Sequence, residues 1–478
     1  MTVAETPHVV VIGGGIAGLA AAFFLKDEPV RVTVLEGSPR LGGKLSASDV
    51  AGVPMDEGAE ALLARRPEGI DLITATGLAS ELVPAGTTSS AIYTRGVMRP
   101  LPRRQFMGVP ADMDELAATG AVSAAGVARA RRETELTQEA ADTSVAGYIG
   151  ARLGGEIVDR LVDPLLGGVY AGRSDELSFQ ATLAPLAAAA KSHPSLTGAV
   201  AALLPPAPAP SADNSKKRSA PAPVFVTLTT GLGALPDAVA KASNADIRTG
   251  ATVRDLERTQ AGWRLTVGSA ADPEYLPADA VIVAVPAAPA ARLLSRTVPA
   301  ASAALSQIPY ASMAIVTLAY RAEDFPETRR SGYLVPAVDG RAVKAATFST
   351  VKWPHLARRA PVQVVRCSVG RIGETALLQR DDDDLAALAA AELADATGIE
   401  AGSVARRVTR WGGALPQYNV GHLDRVAAVR AAVAAQPGLA VAGAAYDGVG
   451  IPACVATART AACQVLAYLT GSRRVRSE

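Results

Sequence analysis

The chain opens with a strand, a glycine turn and a helix in consecutive residues, a run that few folds can accommodate. His8-Val-Val-Val-Ile12 is a short β-branched stretch of the kind a buried parallel strand requires. Gly13-Gly14-Gly15-Ile16-Ala17-Gly18 follows and fits G-x-G-x-x-G. The first glycine permits a tight turn, the second lets backbone approach a pyrophosphate, and the third lets helix and strand pack closely. The helix that starts here offers free N–H groups and a partial positive charge to phosphate. A second β-branched run, Val30–Leu35, ends at Glu36, 18 residues beyond Gly18 and near the spacing of a ribose 2′-hydroxyl acceptor. An acid in that place disfavours a 2′-phosphate. Together these residues predict a dinucleotide-binding unit.

At 478 residues, two or three packed units are expected. Apolar residues make up 49% and charged residues 19%, which suits a large core. The formal net charge of +1 gives no global sign of the basic face that a nucleic-acid partner needs. Three cysteines (Cys367, Cys454, Cys463) are too few for a disulfide framework and are not spaced as zinc ligands. Four histidines leave little material for a metal site, and none is expected. A reducing, cytoplasmic setting fits this cysteine usage. Val9 to Leu25 is nearly all apolar or Gly, but Glu5 and no Lys or Arg precede it and no cleavage pattern ends it, unlike a signal peptide. No other run reaches the ~18 to 20 apolar residues of a membrane span. Peripheral contact through an apolar patch stays open.

Residues 110–203 read as helical, and the basic cluster Arg129, Arg131 and Arg132 reads as a solvated helix face. Pro205 to Pro223 is low-complexity and is expected to be a mobile surface loop. From about 290 to 410, β-branched runs such as Ala314–Leu318 and Val362–Val365 suggest a sheet. Asp381 to Asp384 precede a helical pattern, where acids favour the helix N-terminus over any metal. Cys454 reads as a small packing residue.

Two further segments point to FAD. Ser38-Pro-Arg40-Leu-Gly42-Gly43-Lys44 resembles the R-x-G-G-[RK] element of FAD enzymes in the amine-oxidase and phytoene-desaturase superfamily. A glycine pair lets backbone run against a cofactor, and Lys44 can face phosphate or flavin oxygens. Asp56-Glu-Gly58-Ala59-Glu60-Ala61 resembles the same superfamily's segment beside the isoalloxazine ring. Near the other end, Leu439–Gly443 reads as a buried strand, then Tyr446–Pro452 carries glycines into a second helix start. The resemblance implies a mixed α/β fold with three parts. They are a discontinuous Rossmann-like FAD domain (1–85, 225–290 and 410–478), a mainly helical domain (86–203) on the substrate or membrane side, and a substrate-binding sheet domain (291–409). A low-complexity loop spans 204–224.

Three segments narrow the family. Asp163–Ser178, the Gly231-Leu-Gly233-Ala-Leu235-Pro turn, and Trp411–His422 (W-x-x-x-x-P-Q-Y-x-x-G-H) resemble the oxygen-dependent porphyrinogen oxidases of haem biosynthesis. The likeness implies oxidation of a porphyrinogen to a porphyrin with hydrogen peroxide release, coproporphyrinogen III being favoured over protoporphyrinogen IX. Hydride passes to the flavin, so no catalytic side chain is required, and a downstream chelatase is a candidate partner. The cofactor contacts it implies are Gly13, Gly14, Gly15, Ile16, Ala17, Gly18, Glu36, Gly37, Gly43, Lys44, Gly58, Ala59, Glu60, Ala61, Val253, Trp411, Gly443, Val449, Gly450 and Ile451. Arg65, Arg66, Arg95 and Arg99, with Arg103 and Arg104, are candidates for the propionates, because guanidinium groups hold carboxylates bidentately. A flavin amine oxidase, a desaturase and a non-catalytic FAD-fold protein are the alternatives.

Overall fold

The computed structural model describes residues 6–134, 142–205 and 223–477, with side chains as far as 472. The low-complexity stretch lies almost wholly outside the described residues.

Five parallel strands form the first sheet, in the order Asp246–Arg248, Arg31–Leu35, His8–Ile12, Ala280–Val283, Leu439–Val441. His8–Ile12 is central and all five of its residues are buried, as a strand covered on both faces requires. Val9 and Val11 face helices Ile16–Phe24, Leu235–Ser243 and Ile451–Ser477. Val10 and Ile12 face a three-stranded meander (Val253–Thr259, Gly262–Gly268, Pro273–Ala278) and helices Ala287–Leu294, Pro299–Ser306 and His422–Ala434. Strand alternation therefore divides one sequence run between two cores.

Gly13 turns out of the first strand with φ +112°, which L side chains rarely adopt. A Cβ at Gly18 would stand 1.9 Å from the Gly13 carbonyl oxygen, so only glycine lets the helix lie this close to the strand. Helices Ile16–Phe24 and Ile451–Ser477 pack against each other on one face of the sheet. The strands that feed them run parallel, so both helices start at the same sheet edge.

A second sheet has seven strands, in the order Ala405–Pro416, Tyr310–Arg321, Val362–Val369, Val343–Phe348, Gly332–Leu334, Ser90–Thr94, Val97–Pro100. All pairings are antiparallel except Gly332–Leu334 with Ser90–Thr94. Its outer face (Ala314, Val316, Val365, Cys367, Ala346) packs on helix Asp382–Thr397. Asp381 caps that helix by accepting from the Asp384 amide at 2.8 Å. A helical cluster built from residues between Val109 and Val200 packs on Ile92 at the far end of the sheet.

Two boundaries differ from the sequence expectation. The hairpin Ser90–Pro100 belongs to the seven-stranded sheet, so the helical part begins near Met113 rather than at residue 86. Strand Ala405–Pro416 crosses the expected boundary at residue 410 and joins the same sheet. Both placements depend on pairing with distant strands, which local periodicity does not carry.

Gly18→Ala should destabilise the fold by about 1 to 3 kcal/mol, the scale of overpacking a tight contact. Thermal melts and bound-flavin absorbance measure it; a variant with wild-type values for both would refute the close-approach account.

Candidate functional site

The site grows from the two helix starts. Gly15 caps helix Ile16–Phe24 without any side-chain hydrogen bond, which leaves the first-turn amides for an anion. A Cβ at Gly15 would meet nothing within 4 Å, nor would one at Gly443. Neither glycine is needed to admit a neighbouring protein atom, so both border open space.

Glu36 ends the second strand and accepts from the amides of Gly14 and Ser38, each at 2.7 Å. Two fixed donors orient the carboxylate beneath the glycine turn and leave lone pairs for a ribose. Gly37 lies against Thr252, and the Ala251 amide donates to the Glu36 carbonyl, which brings the start of the Val253 strand to this side.

The second glycine element folds onto the first. Gly42 donates to the Gly14 carbonyl at 2.8 Å, and the Gly43 position approaches Gly15. Arg40 stands exposed, with its guanidinium donating to the carbonyls of Leu41, Gly43 and Leu45. It organises the turn from outside. Lys44 is half-buried, no described residue pairs with its ammonium, and burial lowers its pKa. Lys44 and the Cys454 thiol, in the first turn of the C-terminal helix, stand within electrostatic reach of each other. Burial pushes the Cys454 thiol up to about 11, as a packed, inert cysteine requires.

The Asp56–Ala61 segment, the expected flavin-side segment, is gripped by the seven-stranded sheet. Trp411 Nε1 donates to the Glu57 carbonyl at 2.7 Å, and Arg366 donates to the Gly58 carbonyl at 2.7 Å. A Cβ at Gly58 would collide with the Lys44 carbonyl and approach the Trp411 ring. Glu57 is paired with Arg407 at 3.0 Å. Glu60 is paired with Lys352 at 2.6 Å and with Arg366. Burial alone would raise the Glu60 pKa, but Lys352 and Arg366 outweigh it and hold it at about 2. Asp56 goes the other way: burial lifts it to about 6, against the amides of Leu232 and Gly233 that it accepts at 3.0 and 2.8 Å. At the C-terminal glycines, the Tyr418 hydroxyl donates to the Ala444 carbonyl and accepts from the Gly448 amide.

Gly15, Gly43, Lys44, Gly58, Trp411 and the Gly450–Ile451 helix start therefore surround one region. Open space at two glycines, an unpaired half-buried ammonium and two helix starts fit a flavin dinucleotide. The chain belongs to the flavin-containing amine oxidoreductase family. The family model matches residues 16–466. A Mycobacterium tuberculosis protein named coproporphyrinogen III oxidase is 37% identical over 96% of this chain and 97% of its own length. A Bacillus subtilis protein of the same name is 32% identical over 97% and 98%. A crystal structure from Exiguobacterium sp. 255-15, assigned to a protoporphyrinogen oxidase, superposes with a TM-score of 0.83 at 30% identity over 96% of this chain and 99% of that one. Within the family, this chain groups with porphyrinogen oxidases and is an FAD-dependent oxidoreductase.

The arginine candidates fall in two places. Arg65 and Arg66 precede helix Pro67–Ala75, whose Gly69 abuts Pro452 at the C-terminal helix start. Arg66 is paired with Glu68 at 2.9 Å, whereas Arg65 is exposed and unpaired among the described residues. Arg95, at the hairpin tip, is paired with Glu156. Arg99 lies opposite Ile92 and beside Gly120. Arg104 donates to the Pro205 carbonyl. Lys352 and Arg366 escaped the sequence reading, because they stand 292 and 306 residues from Glu60 and no local pattern links them.

Glu36→Ala should weaken FAD binding by about 1.5 to 3 kcal/mol, the scale of hydrogen bonds to a charged group. A titration of apoprotein showing unchanged affinity would remove Glu36 from the ribose site. Glu60→Gln, which strands two buried cations, should cost about 3 to 5 kcal/mol at pH 7. Because the folded pKa of Glu60 is depressed from 4.5 to about 2, its contribution is complete above 4.5 and fades as pH falls through 2. Melts of wild type and variant should converge over that interval; a gap independent of pH would contradict the ion-pair assignment.

Proposed function

We propose that this protein oxidises coproporphyrinogen III to coproporphyrin III in haem biosynthesis, using dioxygen and releasing hydrogen peroxide. The observation that carries the reading is the inner face of the seven-stranded sheet. At one end Arg366, Thr409 and Trp411 hold the flavin-side segment. At the other, helix Asp163–Tyr170 packs over the strands, and its Gly168 lies near Leu334. Between them Met313, Ala345, Thr347 and Ser368 are only half-buried. Small and apolar side chains dominate this wall, and Val169 on the covering helix is 41% exposed. A flat macrocycle lying against a flavin needs such a surface.

When bound, FAD supplies the hydride acceptor and the route to dioxygen. The chain's own work is to hold and orient. The Glu60 cluster fixes the flavin-side backbone against the sheet, and the Asp163–Tyr170 helix limits water at the opposite wall. A methylene bridge of the substrate gives up hydride while a pyrrole N–H proton passes to solvent or a neighbour, so no strong side-chain base is called for. Three two-electron rounds consume three dioxygen molecules per porphyrin. Arg65, Arg99, Arg103 and Arg104, whose guanidinium groups have no carboxylate partner among the described residues, are the arginines left for propionates, Arg104 meeting only the Pro205 carbonyl. Action in the cytoplasm, with peripheral membrane contact and hand-over to a chelatase as further steps, completes the reading. The assignment of the Exiguobacterium protein gives protoporphyrinogen IX as the second substrate to examine.

Purified protein should be yellow, and porphyrin fluorescence should rise with each porphyrinogen supplied separately in air. The specificity constant kcat/KM should favour coproporphyrinogen III by about tenfold or more, since its site must satisfy additional carboxylates. No fluorescence gain above autoxidation would end the proposal, and a clear preference for protoporphyrinogen IX would replace it with the second reading.

A further inference from the structure

Lys344 lies inside the seven-stranded sheet with 3% of its surface exposed. Lysine is almost never buried this deeply without a partner. Among the described residues its ammonium makes one hydrogen bond, to Ser368 Oγ at 2.6 Å, and no carboxylate pairs with it. Burial, then Arg371, pulls its pKa down to about 7, against the attraction of Glu374. Glu374 is itself engaged, accepting from the Arg371 amide at 3.1 Å and facing its guanidinium at 3.7 Å.

The backbone aims this lysine deliberately. Val343 pairs with Val369 and Ala345 with Ser368, so the register shifts and Lys344 is the extra residue of a bulge. Val343, Ala346 and Phe348 stay in the outer core, while Lys344 keeps company with Ser368 on the inner side. A bulge spends one ladder position to do this.

The proton inventory of the pair is one-sided. With Lys344 protonated, Ser368 Oγ accepts from the ammonium, so its own O–H must donate elsewhere, and no described residue accepts it. Ser368 is half-buried on the inner face and stands two residues along its strand from Arg366, about 7 Å. Arg366 is the residue that grips the flavin-side segment. Across the sheet Ser368 is flanked by Ile315 and Ala345, with Leu334 beyond. A cation-backed hydroxyl thus sits among the small and apolar side chains of this wall, beside the place where the flavin ring belongs.

We propose that the Ser368 hydroxyl, backed by the Lys344 ammonium, receives one carboxylate of the substrate and so favours the four-propionate porphyrinogen over the two-propionate one. Ser368 touches the carboxylate, and Lys344 is a positioning residue that polarises the hydroxyl and balances the charge. The assignment rests on the function proposed above, with an anion completing the hydrogen bonding that the pair lacks.

The test is the ratio of kcat/KM for coproporphyrinogen III to that for protoporphyrinogen IX, with FAD content measured in parallel on holoenzyme. Lys344→Met should lower the ratio by about tenfold through KM, leaving kcat within about threefold and FAD content unchanged. Lys344→Arg should recover much of it. Ser368→Ala keeps the cation and should lower the ratio by about threefold or more, which decides the matter should the methionine variant fail to fold. A ratio unmoved in both Lys344→Met and Ser368→Ala, with FAD retained, overturns this site while leaving the function intact. Wild-type protein that oxidises neither porphyrinogen overturns the function, and this site falls with it.

Discussion

Glu60 joins the two halves of this molecule. It leaves the flavin-side segment of the parallel-sheet domain and meets Arg366 on the seven-stranded sheet and Lys352 on the short helix Ser349–Lys352 that follows one of its strands. All three side chains are largely buried, so separating them would strand charge in a poorly solvated place. Arg366 adds a hydrogen bond to the Gly58 carbonyl, and Trp411 holds the carbonyl of Glu57. The Asp56–Ala61 segment and the seven-stranded sheet are thereby fixed at one separation. Chemistry that depends on placing a substrate carbon against a flavin depends on that separation being held.

Steric permission at the glycines is the second requirement. Gly18 lets helix and strand touch, Gly42 lets the second turn pass Leu45 and Pro236, and Gly58 lets its segment pass under Lys44. At Gly15 and Gly443 the missing side chain faces space. The same residue type closes the protein core in some positions and keeps room for a ligand in others. Only the neighbours distinguish the two uses.

The electrostatics are equally divided. Glu60 is held ionised by two cations, Asp56 is lifted by burial to about 6, and Lys44 keeps a half-buried charge with no carboxylate partner among the described residues. The first is a structural joint and the second braces the Gly231–Gly233 turn. The third points to a ligand. Three charged residues within about twenty positions of one another thus serve three different ends, set by what each one meets.

Much of the cofactor half was legible in the chain itself. G-x-G-x-x-G between a β-branched run and an Ala-rich helix, an acid at the end of the next strand, and Asp381 ahead of a helical pattern are local signals. Their physics needs only neighbours within a few residues, so sequence order determined them. What only the tertiary structure decided is the half built on the seven-stranded sheet. The hairpin Ser90–Pro100 joins a sheet whose other strands lie hundreds of residues away, Arg95 is spent on Glu156, and a bulge turns Lys344 inward. Charge, burial and strand register at those positions depend on contacts that sequence distance does not encode, and there the fold, rather than the motif, assigns each residue its role.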